Sequence, residues 1–252
     1  MIKLKGLEEY VEVIWLHWEL GPQGWFFKEV DNSSAKDPYY GFTYLREFYF
    51  KADPDYDKRF TVPMLWDRKY ETIVNNESSE IIRIFNTGFN HLLPADKAEI
   101  DVYPTALRPE IDEINEWIYN TVNNGVYKTG FATTQEAYDA NVYPLFKSLD
   151  RLEKLLSDGR EFIMGSVLTE VDIRLFPTIV RFDAAYFTLF RCNIRMIRFG
   201  YPNLNKWFCH LYYDFPEVFM ETTFPEQFRA GYATVVNGIV PAGPEPLIST
   251  KP

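Results

Sequence analysis

Two short stretches of the sequence have residue types suited to binding a small, charged peptide. The first is Val62-Pro63, a proline inside an apolar run that reads as a strand over residues 60–66. Proline donates no hydrogen bond to a sheet, so it belongs at an edge or at a special site. If the bond before Pro63 is cis, the turn exposes the N–H and C=O of Val62, and an extended ligand could pair with them like an added strand. The alternative is an edge-strand proline without a function.

The second stretch is Glu77-Ser78-Ser79, which precedes an apolar helical pattern over residues 80–85. A helix N-terminus presents free N–H groups and a partial positive charge, which favour a carboxylate, and a serine hydroxyl adds one donor. The Glu77 carboxylate could accept from an ammonium group. One helix start could therefore bind an α-amino and an α-carboxylate group together. The alternative is ordinary helix capping, because Asn, Ser and Glu are favoured there in any case.

Strands and a helix in a fixed order must position these two stretches. Apolar and β-branched runs predict strands over residues 11–18, 60–66 and 72–74. A short helix is predicted over residues 44–50, and a longer one begins near Glu80. The first part of the chain is therefore predicted to be a small α/β unit.

From about residue 100 the pattern becomes helical, which predicts an all-helical second domain. Two apolar stripes at helical spacing predict core faces; they are Ile111, Ile114, Trp117, Ile118 and Val122, then Val142, Leu145, Phe146, Leu149, Leu152, Leu155 and Leu156. Thr169 and Asp172 predict a capping box before a further helix. The Pro- and Gly-rich residues 238–246 predict an extended tail. We predict domains over residues 1–98 and 99–252.

Composition and charge exclude several classes of partner. The 252 residues carry a net charge of −10, and an acidic surface repels nucleic acid and anionic lipid. Residues 1–9 lack the apolar region of a signal peptide, and no apolar run is long enough to span a membrane. With only two cysteines the sequence has no disulfide framework. We therefore expect a cytoplasmic protein with no nucleic-acid or membrane partner.

The sequence gives little support for a metal site, a cysteine nucleophile or a phosphate-binding loop. His17, His91 and His210 are scattered without metal-ligand spacing, so no metal site is predicted. Cys192 and Cys209 have no CxxC spacing, and each is more typical of a buried apolar residue than of a nucleophile. Neither a GxSxG motif nor a phosphate-binding glycine loop occurs.

The order strand, Pro63, strand, helix resembles the glutathione site of a glutathione transferase. The best match is the omega-like branch, and within it the glutathionyl-hydroquinone reductases, or Xi class. The resemblance covers nearly the whole chain, and its most specific part is the run Asn123-Asn124-Gly125-Val126-Tyr127. The other matching stretches are residues 61–83, 128–132, 168–176, 181–183 and 238–241, with His17-Trp18, Gly24-Trp25 and Tyr40-Gly41-Phe42.

The resemblance implies a fold, a ligand and site residues. The fold would be a thioredoxin-like N-terminal domain followed by an all-helical C-terminal domain, assembled as a homodimer. Glutathione, as co-substrate, would be held by Trp25, Val62, Pro63, Glu77 and Ser78. Tyr127 would face a quinone-type aromatic substrate, its phenol hydrogen-bonding a hydroquinone oxygen, and Tyr232 corresponds to a second family tyrosine near the C-terminus.

The resemblance also implies a mechanism similar to that of glutaredoxins. In the family a Cys thiolate, lowered in pKa at a helix N-terminus, attacks the glutathione sulfur of a glutathionyl-hydroquinone and the hydroquinone leaves. A second glutathione then clears the mixed disulfide. The family cysteine lies in a Cys-Pro-Trp-Ala run that these 252 residues do not contain, and residues 1–7 resemble the end of the helix that follows it. We therefore expect the nucleophile and the first strand to be missing, as in an incomplete gene product.

Two functions remain open on these grounds. The first is a glutathione-dependent reductase or thioltransferase, of the glutathionyl-hydroquinone type, whose sequence lacks its nucleophile. The second is a non-catalytic glutathione-binding protein that acts as a binding module or scaffold.

Overall fold

The computed structural model describes residues 1–30 and 32–235. The chain divides into two compact units, Met1–Ile100 and Asp101–Pro252. The predicted domain boundary lay after residue 98. The predicted extended tail over residues 238–246 lies outside the described residues.

The described residues of the first unit form four helices and two strands. They are α1 (Ile2–Lys5), α2 (Arg46–Ala52), β1 (Leu65–Asp67), β2 (Thr72–Asn75), α3 (Ser78–Thr87) and α4 (Ala95–Ala98), with a 3₁₀ turn at Asn90–Leu92. The strands pair in antiparallel fashion, with Trp66 opposite Ile73 and Asp67 opposite Thr72. The strand predicted over residues 72–74 is therefore present as β2, and the helix predicted from Glu80 begins two residues earlier, as α3. The helix predicted over residues 44–50 forms slightly later, as α2.

Two strand predictions in this unit were wrong in whole or in part. Residues 11–18 form no strand, and a single bridge joins Trp15 to Ser33. A strand needs a neighbour for its backbone groups, and one bridge does not supply it. The strand predicted over residues 60–66 is confined to Leu65–Asp67. Its first half is not paired as a strand, because Pro63 has no N–H and the backbone of Thr61 bonds to a side chain instead.

Aromatic side chains hold α2 against the strands. Phe48 on α2 meets Trp66 on β1 edge to face at 5.2 Å, and Tyr40 meets both rings at 5.7 and 6.0 Å. The Trp66 indole N–H donates to the Tyr40 hydroxyl at 3.2 Å.

A second cluster forms at α3, whose apolar face buries Ile81 and Phe85 beside Leu7. The spacing of four residues between Ile81 and Phe85 puts both on one helix face.

In the described part of the second unit, helices are the main regular elements. Its helices are α5 (Arg108–Ile118), α6 (Gly125–Gly130), α7 (Gln135–Leu155), α8 (Glu170–Arg181), α9 (Phe187–Leu189), α10 (Ile197–Gly200), α11 (Pro202–Asp214) and α12 (Pro225–Val235). Short 3₁₀ turns occur at Thr105–Leu107 and Leu156–Asp158, and π-helical turns at Tyr119–Asn123 and Phe182–Tyr186.

The core of the second unit is built from the apolar stripes that the sequence predicted. Ile111, Ile114 and Ile118 are buried on α5, and Val142, Leu145, Phe146, Leu149 and Leu152 are buried on α7. The capping box also forms at the start of α8, where the Asp172 carboxylate accepts the Thr169 N–H at 3.0 Å. That carboxylate further accepts the Ile163 N–H at 2.8 Å and the Trp207 indole N–H at 2.9 Å. Asp172 therefore joins α8 to α11 as well as capping α8.

Candidate functional site

The Val62-Pro63 peptide bond is cis, which is the condition under which a binding role was predicted. The side chain of Val62 is 42% exposed. Within the described ranges, 1–30 and 32–235, neither the N–H nor the C=O of Val62 makes a hydrogen bond. Its backbone is therefore available to pair with an extended ligand, in the manner of an added strand.

A hydroxyl on α2 fixes the position of this loop. Tyr49 is only 1% exposed, and its hydroxyl donates to the Thr61 C=O at 2.8 Å and accepts the Thr61 N–H at 3.3 Å. The Asn76 amide donates to the same hydroxyl at 3.2 Å and to the Thr61 side chain at 3.0 Å. Tyr49 and Asn76 thus hold the residue before Val62 and the residue before Glu77 in one network.

The helix start next to this network is open. Glu77 is the N-cap of α3, and its own side chain makes no capping bond. The Asn75 carboxamide oxygen accepts the Glu77 N–H at 2.7 Å, which turns the chain from β2 into α3. Glu77 and Ser78 are both exposed. The first N–H groups of α3, the Ser78 hydroxyl and the Glu77 carboxylate can therefore meet an amino-acid-like ligand.

Trp25, the remaining predicted glutathione residue, is attached to the same helix. Its C=O accepts the Leu45 N–H at 2.9 Å, and Leu45 is the N-cap of α2. The Trp25 side chain is half-buried. Both Trp25 and the Val62 loop are therefore tied to α2, one through the backbone at its start and the other through Tyr49.

In the second unit, three tyrosine hydroxyls form a closed cluster. The Tyr127 oxygen lies 2.5 Å from that of Tyr232 and 3.1 Å from that of Tyr186, and the Tyr186 and Tyr232 oxygens are 3.0 Å apart. The structure thus brings together Tyr127 and Tyr232, which the sequence named separately. We call Tyr127, Tyr186 and Tyr232 the tyrosine cluster.

Sequence reasoning missed Tyr186. It lies three residues after Arg181-Phe182-Asp183, a run that resembles the family. The spacing of Tyr186 from its neighbours in the sequence indicates no chemical role. In the sequence, Tyr186 is distinguished only as an aromatic residue in a helical region, and many core residues share that description. Tyr186 lies at the end of the π-helical turn Phe182–Tyr186, and such turns are frequent at functional sites.

Burial keeps the hydroxyls of Tyr186 and Tyr232 protonated. Desolvation, and next the neighbouring tyrosines, raise the pKa of Tyr186 well above its usual value. Desolvation first, and then Tyr127, also raise the pKa of Tyr232, while the Arg181 guanidinium acts in the opposite direction on both pKa values. At neutral pH these groups therefore act as neutral hydrogen-bond donors and acceptors.

The two cysteines are buried, as the sequence predicted. Burial raises the pKa of Cys192 to about 12, and burial also raises the pKa of Cys209. A thiol must ionise to act as a nucleophile, so neither of these groups is an activated cysteine at neutral pH.

Two further features are absent from the described part of the chain. No group of three or more His, Cys, Asp or Glu side chains there is arranged to hold a metal ion. Among the same residues, no helix has the length and apolar character needed to cross a bilayer.

Comparisons with known proteins agree with this geometry. Residues 135–208 match the family model "Glutathione S-transferase, C-terminal domain". The chain is 52% identical to glutathione S-transferase omega-like 2 of Schizosaccharomyces pombe, over 98% of this chain and 80% of that protein. It superposes on the crystal structure of glutathione-S-transferase Xi from Phanerochaete chrysosporium with a TM-score of 0.92 at 52% identity, covering 97% and 84% of the two chains.

A bacterial relative adds information about ligand and reaction. The chain is 46% identical to glutathionyl-hydroquinone reductase YqjG of Escherichia coli, over 97% of this chain and 74% of that protein. The glutathione-bound structure of YqjG matches with a TM-score of 0.88 at 44% identity, covering 100% of this chain and 78% of YqjG. The predicted combination of a thioredoxin-like unit with a helical C-terminal domain is confirmed by these folds. The chain belongs to the omega-like, Xi-class family of glutathione S-transferases.

Proposed function

We propose that this protein binds glutathione through the Val62 loop and the start of α3, and that it serves the glutathione-dependent reduction of glutathionyl-hydroquinones. The observation that carries the proposal is the free backbone of Val62, held beside the open start of α3 by the Tyr49–Asn76 network. The glutathione-bound structure of YqjG supports glutathione as the ligand.

The central and γ-glutamyl parts of glutathione have matching groups in the first unit. Glutathione is an extended peptide, so its central amide groups can pair with the N–H and C=O of Val62 beside Pro63. Its γ-glutamyl end carries an ammonium and a carboxylate. The Glu77 carboxylate accepts from the ammonium, and the Ser78 hydroxyl with the first N–H groups of α3 donates to the carboxylate. The Trp25 ring supplies apolar surface.

The tyrosine cluster provides the matching chemistry for the aromatic substrate. The half-buried Tyr127 and Tyr232 offer hydroxyls that can donate to a hydroquinone oxygen. The overall reaction converts a glutathionyl-hydroquinone and glutathione into the hydroquinone and glutathione disulfide. The leaving hydroquinone carbon takes a proton, and the two glutathione sulfurs become joined.

Binding of glutathione needs no nucleophile, whereas turnover of a glutathionyl-hydroquinone does. That step needs a thiolate close to the glutathione sulfur, and the pKa of Cys192, at about 12, leaves its thiol protonated at neutral pH. The 252 residues tested as they stand are therefore expected to bind glutathione and to turn over a glutathionyl-hydroquinone hardly at all. Robust turnover would show that a nucleophile is present after all.

Titration calorimetry with glutathione tests the binding half of the proposal. We expect Glu77→Ala to weaken binding by about tenfold, because the ligand ammonium loses a charge-assisted hydrogen bond of roughly 1.5 kcal/mol. The matched control is Glu99→Ala, which removes an exposed glutamate of the same unit outside the proposed site. If the Glu77 and Glu99 variants bind glutathione as tightly as the parent chain, the helix-start site is wrong.

A second candidate function is a non-catalytic glutathione-binding module or scaffold, which the buried, high-pKa Cys192 favours. The genomic sequence upstream of Met1 separates the two candidates. An in-frame Cys-Pro-Trp-Ala run, or one beyond an intron, supports the reductase. A stop codon with no such run supports the binding module.

A further inference from the structure

Arg181, the last residue of α8, is a half-buried cation beside the tyrosine cluster. We propose that its guanidinium binds an anionic group on the ring of the aromatic substrate, so that the site favours glutathionyl-hydroquinones that carry a carboxylate. The inference rests on the proposed function and deepens it, because it names a chemical class of substrate for the same site.

Helix α12 shows where the guanidinium lies relative to the cluster. The Arg181 Cζ atom is 5.4 Å from the centroid of the Phe228 ring on α12. Phe228 and Tyr232 are four residues apart on this helix, so their side chains lie on one face, about one 5.4 Å turn apart. The Tyr232 hydroxyl is 2.5 Å from that of Tyr127. A substituted benzene ring can therefore meet these hydroxyls at one end and Arg181 at the other.

Arg181 differs from several other arginines of the second unit in having no carboxylate partner. Three of the others form ion pairs at 2.7 to 3.6 Å. They are Arg160 with Asp158, Arg174 with Glu170, and Arg195 with Asp150. Within residues 1–30 and 32–235, Arg181 forms no such pair. Its charge is therefore available to an anionic ligand.

The acidic residue closest to Arg181 in the sequence, Asp183, binds other groups. Its carboxylate accepts the Ile197 N–H at 2.7 Å and the Arg198 N–H at 3.0 Å. The chain as a whole carries a net charge of −10, so its overall field disfavours an anionic ligand. A cation without a carboxylate partner is a local exception to that field, and a ligand carboxylate would compensate its charge.

Only part of the hydrogen-bonding capacity of Arg181 is used within the described ranges. A guanidinium has five N–H donors, and that of Arg181 donates to the Pro177 C=O at 2.6 Å. This bond to the last turn of its own helix is an ordinary stabilising contact, and it holds the side chain in place. The remaining donors match a carboxylate, because a planar guanidinium can bind both carboxylate oxygens at once.

The charge of Arg181 also acts on the tyrosine cluster. Desolvation raises the pKa of Tyr186 and the pKa of Tyr232, and the Arg181 guanidinium opposes both shifts. Its field therefore favours negative charge at these positions. A carboxylate held between Arg181 and the tyrosine hydroxyls would gain the same stabilisation, whereas an uncharged ester in its place would not.

Ligand-observed NMR titration of the 252-residue chain tests this role with 2,5-dihydroxybenzoate and its methyl ester. The two probes share a hydroquinone ring and differ in negative charge. We expect the parent chain to bind the acid about threefold to tenfold more tightly than the ester, as for a partly exposed Arg–carboxylate pair. Arg181→Gln should remove this preference and leave the affinity for the ester unchanged. Added salt should weaken binding of the acid alone, since salt screens the charges.

Two further variants separate ligand binding from structural damage. The matched control is Arg151→Gln, at an arginine of α7 whose guanidinium also lies over a ring, that of Trp117 at 4.3 Å. Helix α7 carries no member of the tyrosine cluster, so this variant should keep the preference for the acid. Arg181→Met retains an apolar stem beside Phe228 without the charge, and it gives the same prediction as Arg181→Gln if the glutamine variant fails to fold.

The outcomes distinguish this inference from the proposed function. If the parent chain binds neither probe, the aromatic part of the proposed function is wrong as well. If it binds the acid and the ester equally, the hydroquinone ring is bound and only the role of Arg181 is wrong. The same holds if the parent chain prefers the acid and the folded Arg181 variants keep that preference. Circular dichroism verifies that each variant is folded.

Discussion

A single hydroxyl on Tyr49 serves three hydrogen bonds in the proposed glutathione site. It donates to the Thr61 C=O and accepts from the Thr61 N–H and the Asn76 amide, at 2.8 to 3.3 Å. The residue itself touches no proposed ligand group. Its contribution is to hold the Val62 loop and the start of α3 at a fixed separation, so that both can engage one peptide.

Tyr49→Phe should therefore affect stability and binding together. The Thr61 N–H and the Asn76 amide each lose an acceptor, so we expect the free energy of unfolding to fall by about 2 kcal/mol. Glutathione binding should weaken several-fold, because the two halves of the site are no longer held together. Urea unfolding and titration calorimetry measure the two effects. Tyr70→Phe, at a tyrosine that is 70% exposed, is the control, and the two variants should differ clearly.

Cys192 makes a pH-dependent contribution to stability whose sign follows from its burial. Its folded pKa is about 12, above the value near 8.5 of an exposed thiol. The folded state therefore holds the proton more tightly. The stabilisation that results is fully present below about pH 8.5, and it is lost as the pH rises toward 12.

This dependence can be measured against Cys192→Ala. Between pH 8.5 and pH 11 the parent chain should lose up to about 1.4 kcal/mol of unfolding free energy per pH unit through this thiol, and the variant should not. The gap in stability between the two proteins should therefore shrink as the pH rises. Cys209 is present in both and cancels. A gap that stays constant from pH 7.5 to 11 would contradict the assignment.

At the scale of elements, the end of α6 must approach the tyrosine cluster very closely. A Cβ atom added at Gly130 would lie 2.2 Å from the Cγ of Phe190, the ring on which Tyr186 stacks. Phe190 is fully buried and also meets the rings of Tyr127 and Tyr232 at 5.6 and 5.5 Å. The absence of a side chain at Gly130 is therefore what allows α6 to pack against the residues around the tyrosine cluster.

We expect Gly130→Ala to lower the free energy of unfolding by about 2–3 kcal/mol, because the core has no room for the added methyl group. Gly125→Ala is a matched control on the same helix. Its Cβ would meet Leu145 at 3.7 Å, an ordinary van der Waals distance, so stability should stay the same or rise slightly. Urea unfolding of the two variants gives the comparison, and equal losses would argue against the close packing at Phe190.

At the scale of the whole molecule, the two units differ in the size of their cores. The large buried cluster of the second unit runs from Ile111 to Phe219, whereas a buried cluster of the first unit contains Leu7, which follows α1, with Ile81 and Phe85 of α3. The first unit also leaves several large apolar side chains exposed. They include Val13, Ile14, Trp15 and Leu20. Because burial of apolar surface dominates stability, the first unit should unfold at the lower denaturant concentration.

The six tryptophans allow this order to be measured in one urea titration. Trp15, Trp18, Trp25 and Trp66 lie in the first unit, and Trp117 and Trp207 lie in the second. Far-UV circular dichroism reports mainly on the second unit, which holds most of the helix. We expect the fluorescence change to begin at lower urea than the loss of helix. Coincident transitions by both signals would mean that the chain unfolds as one cooperative unit.

Much of the architecture was determined by local sequence. Helical spacing predicted the buried faces of α5 and α7, because a helix repeats every 3.6 residues wherever it lies. The Thr169 and Asp172 pair predicted the start of α8, since a capping box needs only residues three apart. In the same way, Glu77 and Ser78 followed from their place before an apolar helical pattern.

Other features were decided only by the tertiary structure, because they join residues that are distant in the chain. Residues 11–18 have the composition of a strand but form none, since a strand depends on a pairing partner that local composition does not supply. The Tyr49 network spans residues 49 to 76, and the tyrosine cluster joins residues 127, 186 and 232. The family resemblance gave Tyr127 and Tyr232 as phenols predicted to face an aromatic substrate. Folding set their hydroxyls 2.5 Å apart and brought the buried Tyr186 hydroxyl within 3.1 Å of both, because only packing brings such separated side chains within hydrogen-bonding distance.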